Sequence, residues 1–513
     1  MENIKHSNLK IGTIVSYASI IIEIVAGFFY VPWMVKQLGS SSYGIYSLAV
    51  SITTILSVDL GLTAAASKFI AKYRAEGNIE KANNLSSIIM KLFLIVDVII
   101  LVILLVVFAL IDTSFSSRFT PDELKSFKVV FAIVGLYTIL VFPTAPIGGF
   151  LNGNDRFTLL KIITLGTRLA TIGLIVIGLL LGFGLYGFVI INCAVTVVSR
   201  IVQYAIFIKT NNYGNKITLK YWNKSEFKDV LHYVGWTALS VLSEKLIVYS
   251  VPYILGIFCG TDQISIFQIG LTIDTYLVTM STAVDGFFIA RLSKMDADNK
   301  DFDFTKYWIK VGRFQIAITL LFVLGFVIIG RGFVEMWMDG NEVVNSSSSY
   351  YVALFLMVPY ILISTQQIGN TVLIIKDKVK YRAIGYVISS VLCVVLATLS
   401  VMIWRDSAAI VAAISILIGR TSFAIYSLFI FSKKINLNIL AFLKETYVTM
   451  IPVAYAVFAI GYKIDAILPS NKWIYIIFKA VIIAVLYGFC LFFFWFKKEE
   501  KEYIFSFVKR RKK

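Results

Sequence analysis

The sequence predicts an all-α membrane protein of about 14 transmembrane helices, built as two six-helix bundles related by a parallel repeat plus two C-terminal helices. Three observations predict this class. Of the 513 residues, 58% are hydrophobic and only 15% are charged, with a mean hydropathy of +0.82, whereas a soluble protein has about 25% charged residues. Apolar runs of about 20 residues, the length that crosses a bilayer as a helix, recur along the chain. The third observation is an internal repeat.

Hydropathy and charge together predict the spans and their orientation. Basic residues gather in every second connecting segment: those segments and the adjoining span ends hold about 34 of the 48 Lys and Arg residues, and the opposite loops about 8. We therefore expect both termini to be cytoplasmic, which agrees with an even number of spans. The predicted spans are 11–35, 43–67, 87–111, 127–150, 161–182, 185–208, 229–258, 264–290, 311–334, 351–374, 383–403, 408–432, 445–466 and 473–496.

The composition argues against several classes of function. The formal charge of +18 does not indicate a nucleic-acid partner, because the basic residues follow the insertion topology. The chain has only two histidines, and its four scattered cysteines form no CxxC motif, so neither a metal site nor a disulfide framework is predicted. No GxxxxGK[ST] motif for ATP hydrolysis is present. The loops are short, so any binding site must be built from the spans themselves.

The two halves of the sequence match at an offset of about 221 residues, beginning with the first and seventh predicted spans. The matched pairs, in order along the chain, are Ser19 with Ser240, Glu23 with Glu244, Gly39 with Gly260, Asp155 with Asp377, and Arg200 with Arg420. Accidental alignment of apolar helices is the alternative, but matches in one order at nearly one offset favour a duplication. An even-numbered repeat gives two parallel halves, a transporter design in which the substrate site lies between the halves and access alternates.

The repeat and the loops predict five regions. We expect an N-terminal six-helix bundle over 1–210, a cytoplasmic linker over 211–228 and a C-terminal six-helix bundle over 229–434. Transmembrane helices 13 and 14 would occupy 435–498, outside the duplication, and a basic cytoplasmic tail would occupy 499–513.

Ionisable side chains inside the predicted spans are the candidate functional residues, because each costs about 2.5–3.5 kcal/mol at a helix centre and needs a partner or a function. Guanidinium and ammonium groups would bind the oxygens of a phosphate or pyrophosphate head group. The candidate anion-binding cations are Arg168, Arg200, Lys245, Arg420 and Lys91. The carboxylates that would line the cavity or bind a coupling cation are Glu23, Asp59, Glu244, Asp274 and Asp285.

Simpler roles stay open for several of these side chains. Lys91, Arg200 and Arg420 lie near predicted cytoplasmic ends, where they could snorkel to the interface. Asp59 either lines the N-terminal bundle or caps a helix near Gly61. Asp274 and Asp285 share one face of the eighth span, because the eleven-residue separation of these positions makes three helical turns.

One segment resembles a known family. The stretch LGSSSYGIYSLAVSITTILSVDLGLTAAASKFIAKY, with Leu38-Gly39, Tyr43-Gly44 and Asp59-Leu60-Gly61-Leu62, is similar to the N-terminal signature of the Wzx-like polysaccharide flippases. These belong to the multidrug/oligosaccharidyl-lipid/polysaccharide (MOP) exporter superfamily. The segment GFLNGNDRFTLLKI, after Pro143 and Pro146, resembles the loop between the family's fourth and fifth spans. Motif resemblance is densest over residues 10–210.

This resemblance implies a transporter that is not an enzyme. The family moves an oligosaccharide on a polyprenyl pyrophosphate from the cytoplasmic to the outer leaflet of the cell membrane, for surface polysaccharide biosynthesis. Two bundles of six helices form a cationic central cavity, and an extra helix pair offers a groove for the lipid tail. We accordingly expect membrane lipids and the polysaccharide polymerase and export machinery as partners, a monomeric chain, and no cofactor, metal or nucleic acid.

Three other functions compete with this interpretation. A cation-coupled multidrug efflux transporter of the same superfamily would share the fold and the repeat but favour an acidic cavity. A membrane polymerase or acyltransferase would need a sizeable outer loop or a catalytic His/Arg constellation, and His232 stands alone near a span start. A channel is an unusual use for one asymmetric chain with duplicated halves.

Overall fold

The computed structural model describes residues 2–154, 156–209, 221, 223–298, 304–338, 345–376, 378–498 and 500–502 of the chain, without some side chains inside its helices. The described residues form helices joined by short turns, which confirms the all-α prediction. The first ten helices are α1 (Glu2–Leu38), α2 (Ser40–Leu56), α3 (Leu62–Ala75), α4 (Ile79–Ala109), α5 (Ile111–Phe115), α6 (Pro121–Val141), α7 (Pro146–Gly153), α8 (Phe157–Leu180), α9 (Gly184–Lys209) and α10 (Lys224–Phe258). The second ten are α11 (Thr261–Asp298), α12 (Phe304–Trp337), α13 (Ser346–Met357), α14 (Tyr360–Ile363), α15 (Gln367–Ile375), α16 (Val379–Ile403), α17 (Ala408–Ile435), α18 (Ile439–Thr446), α19 (Ile451–Ile467) and α20 (Trp473–Cys490).

The described part of the chain contains 13 helical segments long and apolar enough to cross a membrane. The prediction of about 14 differs by one because the second predicted span, 43–67, is not a continuous helix. It is divided into α2, of 17 residues, and α3, of 14 residues. The backbone turns between them, where Leu60 and Gly61 have φ values of 54° and 76°, a left-handed conformation that ends a right-handed helix.

The fourth and tenth spans are interrupted at corresponding positions. In the fourth, a 3₁₀ turn over Phe142–Thr144 separates α6 from α7. In the tenth, a 3₁₀ turn over Ser364–Gln366 precedes α15, so the two turns lie 222 positions apart. Proline accompanies both interruptions, at 143 and 146 in one span and at 359 in the other, because it removes a backbone donor and clashes with the preceding turn. The duplication therefore extends to irregular backbone as well as to sequence.

Two equivalent turns of the repeat pack against each other. Each follows a glycine with positive φ, Gly39 at 81° and Gly260 at 108°. The Ser265 hydroxyl donates to the Ser40 carbonyl at 2.5 Å, and a Cβ on Gly44 would lie 2.3 Å from the carbonyl oxygen of Thr261. Since residues 40 and 44 correspond to 261 and 265 at the repeat offset, the fifth residue of each helix contacts the first residue of the other.

Glu123, in the first turn of α6, joins both of these helices. Its Oε1 accepts hydrogen bonds from the hydroxyls of Ser41 at 2.5 Å and Thr261 at 2.7 Å. Its Oε2 accepts one from the backbone N–H of Thr120 at 2.9 Å, within a capping box that begins α6. One carboxylate therefore connects three helices by short hydrogen bonds.

The helices group into two compact units by contact. The first contains Met1–Gln268 and Val379–Ser415, and the second contains Ile269–Lys378 and Ile416–Lys513. In the first, α10 packs along α16 and against α2, and α3 packs against α7. In the second, α12 packs against α13, α19 and α20. These boundaries follow contacts, whereas the predicted regions 1–210 and 229–434 follow the repeat and stay a prediction.

Candidate functional site

Asp59 lies at the break between α2 and α3. Its Oδ1 accepts a hydrogen bond from the backbone N–H of Gly61 at 3.0 Å, and its carbonyl accepts one from Leu62 at 2.9 Å. An aspartate readily supports such a turn because its short side chain reaches the N–H two residues on. The structure therefore gives Asp59 the bracing contact near Gly61 that the sequence left open.

Arg420 and Asp274 form a buried ion pair between α17 and α11. The two guanidinium Nη atoms donate to the two carboxylate oxygens at 3.2 and 3.0 Å. Nη1 also donates to the carbonyl of Leu356 at 2.6 Å, and the guanidinium carbon lies 5.1 Å from the ring centroid of Tyr360. Side-chain exposure is 10% for the arginine and 2% for the aspartate. Both charges are thus satisfied inside the second unit.

Arg200 has a different environment, in α9 of the first unit. Its Nη1 donates to the Oε1 of Gln203 at 3.1 Å, a neutral partner one turn along the same helix. Among the described residues it forms no ion pair with a carboxylate. Arg168 lies in α8 of the same unit with an exposed side chain. Arg200 therefore keeps a positive charge that no described carboxylate neutralises.

The two predicted lysines lie in the first unit. Lys91, in α4, donates to the backbone carbonyl of Tyr221 at 2.7 Å. Lys245, in α10, lies over the ring of Tyr249 at 5.1 Å from the centroid, an attractive cation–π position. Neither contact brings a negative charge, so both ammonium groups add to the positive charge of this unit.

Glu244, beside Lys245 in the chain, faces α16. Its Oε2 lies 3.7 Å from the Nη2 of Arg382, which is an ion pair but exceeds the length of a hydrogen bond. The side chains of Glu23 and Asp285 lie outside the described residues, so their predicted roles stay predictions. Asp97, a carboxylate in α4, has an Oδ1 with no hydrogen-bond partner in the described part of the chain.

The sequence did not single out Arg382. Position 382 lies between the predicted spans 351–374 and 383–403, so the sequence predicts a loop residue there rather than an intramembrane cation. In the structure it lies in the first turn of α16, with 18% of its side chain exposed. The repeat offset offered a signal, since position 382 corresponds to Lys161.

A second buried cluster, around Arg313 of α12, was also missed. Its Nε and Nη2 donate to Glu500 at 2.8 and 2.9 Å, and Nη2 also donates to the carbonyl of Trp495 at 2.8 Å. The guanidinium lies 3.8 Å above the indole of Trp495. Burial alone would raise the pKa of the Glu500 carboxyl, but hydrogen bonds from Arg313 and the Lys497 N–H lower that pKa below its ordinary value. The cluster fastens the segment after α20 to α12.

Lys479 of α20 is fully buried and belongs to the C-terminal helix pair. Its Nζ lies 2.6 Å from the Oδ1 of Asp465 and 2.8 Å from the hydroxyl of Ser470. This intramembrane cation is satisfied by the end of α19 and the turn that follows it. We therefore do not place it among the candidate binding residues.

Comparison with known proteins identifies the family. Residues 9–284 match the family model described as "Polysaccharide biosynthesis protein". The chain belongs to this family. No curated protein matches it in sequence.

Solved structures of MOP superfamily transporters share the fold. The lipid II flippase MurJ in an inward closed conformation has a TM-score of 0.68 at 15% identity, covering 94% of this chain and 98% of that one. An inward-facing multidrug resistance MATE family transporter of the MOP superfamily has a TM-score of 0.60 at 16% identity, covering 80% and 96%. A MOP superfamily transporter from Pyrococcus furiosus, described as having a binding pocket of reverse polarity, has a TM-score of 0.58 at 16% identity, covering 82% and 93%. The predicted fold is confirmed, and the chain is a membrane protein of the polysaccharide biosynthesis family with a transporter fold.

Proposed function

We propose that this protein is a flippase that moves polyprenyl-pyrophosphate-linked oligosaccharide units from the cytoplasmic to the outer leaflet by alternating access. The observation that supports this most is the similarity in fold to a lipid II flippase over 94% of the chain, in a member of a polysaccharide biosynthesis family. The cargo would be a repeat unit for a surface polysaccharide.

The charges of the first unit support an anionic cargo. Arg168, Arg200 and Lys245 belong to it, and Arg200 has no carboxylate partner among the described residues. Arginine binds phosphate oxygens in bidentate fashion, and lysine acts as a point charge. We assign Arg420 a structural role instead, because Asp274 and a carbonyl already accept from its guanidinium.

The charge pattern of the loops supports an orientation in which both termini lie on the cytoplasmic side of the cell membrane. In that orientation the Glu123 cluster faces the outside, and the first turns of α10 and α16 face the cytoplasm, where the cargo is made. A cation-coupled multidrug efflux transporter is the second candidate, and the MATE fold similarity over 80% of the chain favours it.

The decisive experiment uses purified protein in liposomes with a labelled polyprenyl-pyrophosphate oligosaccharide in the outer leaflet. We expect time-dependent protection of the sugar from an added glycosidase, which requires the protein. Protein-free liposomes and liposomes with heat-denatured protein are the controls. Exchange of drug cations for protons or sodium, without protection of several different glycans, would replace the flippase proposal with the efflux transporter.

A further inference from the structure

The pair of Arg382 and Glu244 is incompletely formed compared with the other arginine–carboxylate pairs. The guanidinium of Arg382 and the carboxylate of Glu244 are 3.7 Å apart, and the buried Nε of Arg382 has no hydrogen-bond partner among the described residues. The guanidinium lies 5.4 Å from the ring centroid of Tyr386, one turn further along α16. Arg382 therefore has a fixed position and an unused donor.

The contrast with the second unit is direct. Arg313 and Arg420 each place two donors within 3.2 Å of their carboxylate, which is the bidentate geometry of a stable ion pair. A buried donor without an acceptor is unfavourable, so the Nε of Arg382 would be stabilised by an acceptor oxygen. Glu244 does not supply that oxygen, and 47% of its side chain is exposed.

The surroundings of the pair are positive. Lys245 is the chain neighbour of Glu244 in α10, and Lys380 lies two residues before Arg382 with its Nζ 5.5 Å from the ring centroid of Trp236. Of the charged residues named here, three are cations, Lys245, Lys380 and Arg382, and one is a carboxylate, Glu244. An incoming dianion would meet a local excess of positive charge, and Glu244 would remain free to turn towards water.

The same two positions are charged in the other repeat. At the repeat offset Glu244 corresponds to Glu23, and Arg382 corresponds to Lys161. The helices that bear them pack in the same way, α1 against α8 and α10 against α16. A carboxylate and a cation therefore recur on facing helices of both halves, as expected for a duplicated ligand-binding feature.

We propose that Arg382 binds the diphosphate of the cargo and that Glu244 is its displaceable counter-ion. This inference rests on the proposed flippase function. A diphosphate oxygen takes the place of the Glu244 carboxylate and accepts from Nε and Nη2 together, in the fork geometry of guanidinium–phosphate contacts. Lys245 and Lys380 contribute charge around the ligand, and Tyr386 supports the guanidinium plane.

The test compares Arg382→Gln, Arg382→Lys, Glu244→Gln and the charge swap Glu244→Arg/Arg382→Glu in the full-length protein. Binding of inorganic pyrophosphate is measured by calorimetry in detergent, and melting temperature is measured on the same samples. We expect Arg382→Gln to weaken binding about tenfold or more, since a hydrogen bond to a charged group contributes about 1.5–3 kcal/mol. Arg382→Lys should retain part of the affinity. Glu244→Gln should tighten binding several-fold, because it removes the competing carboxylate.

A purely structural pair gives the opposite pattern. Both single variants would then lower the melting temperature and leave pyrophosphate affinity unchanged, and the charge swap would restore the melting temperature. Either that result or weaker binding in Glu244→Gln overturns the inference. The liposome assay separates the two proposals: flipping by wild type and by Arg382→Gln at the same rate rejects only the role of Arg382. No flipping and no pyrophosphate binding by wild type rejects both.

Discussion

Arg200 and Arg420 occupy matching positions of the two repeats but have different partners. Arg420 is held by Asp274 through two hydrogen bonds, whereas Arg200 contacts the neutral side chain of Gln203. At the repeat offset, Asp274 corresponds to Thr53, whose hydroxyl donates to the carbonyl of Ala49 in its own helix. The second half therefore has the counter-ion that the first half lacks.

This difference shows how a duplicated arginine can diverge in use. A guanidinium within a membrane needs an acceptor, and a fixed carboxylate supplies one permanently at the cost of any ligand role. Replacing that carboxylate with a hydroxyl leaves the arginine charged and short of acceptors. We infer that the repeat with Thr53 is the one that meets anions, and that the repeat with Asp274 is the stabilised one.

Removal of one partner of the buried pair should have the largest effect. We expect Arg420→Gln or Asp274→Asn to lower the free energy of unfolding by about 3–5 kcal/mol, because the remaining charge stays buried without a partner. Thermal denaturation in detergent measures this loss. The matched control is Arg420→Leu/Asp274→Leu, which should recover much of the stability. A single variant that melts like wild type would show that the pair does not stabilise the unit.

Arg200→Gln should lower transport without lowering stability, unlike the variants of the Arg420 pair. We expect flipping in liposomes to fall about tenfold, because a charge-assisted contact to a phosphate contributes about 1.5–3 kcal/mol. The melting temperature should stay at the wild-type value, since no carboxylate partner is lost. Arg200→Lys, which keeps the charge, is the matched control and should retain intermediate activity. Full activity of Arg200→Gln would remove this residue from the binding surface.

Thr53→Asp sharpens the comparison by giving the first repeat the carboxylate of the second. We expect a several-fold decrease in flipping, because the new aspartate would neutralise the charge of Arg200. Thr53→Asn has nearly the same size without the charge and should have a smaller effect. Equal loss in both variants would attribute the decrease to packing, and the counter-ion explanation would then be wrong.

The smallest effect should be a pH dependence of the melting temperature, caused by Glu500, the carboxylate that pairs with Arg313. Its pKa in the folded protein is below the ordinary value of 4.5, so its stabilising contribution is complete above about pH 4.5 and is lost as the pH falls through the folded pKa. Melting temperature should therefore decrease more steeply on acidification in wild type than in Glu500→Gln. Parallel curves for the two proteins would contradict this assignment.

The spans were predictable because each is a long apolar run, and the offset of the repeat was predictable because charged, serine and glycine residues recur. The break at Asp59 was not, since hydropathy stays high across 57–62 and does not encode the positive φ of Leu60. Each half of the Arg420 pair was recognised as an intramembrane charge. Their pairing was not, because 146 residues separate them and only folding brings them together.

Arg382 illustrates a different limit. A residue at the end of a basic segment and a residue in the first turn of a helix look the same in sequence, because span boundaries are uncertain by several residues. The relevant information lay in the other repeat, at Lys161. Only the structure places the guanidinium of Arg382 opposite Glu244.

The exchanged contacts between the first turns of α2 and α11 have a consequence for the origin of the chain. Residue 40 contacts 265 and residue 44 contacts 261. Because 40 corresponds to 261 and 44 to 265 in the repeat, each helix uses the same two positions to contact the other. That reciprocity defines an isologous interface, the kind formed by two identical subunits about a twofold axis. Two copies of a six-helix unit would form the same contact about a twofold axis, and the duplicated chain contains that contact within one polypeptide.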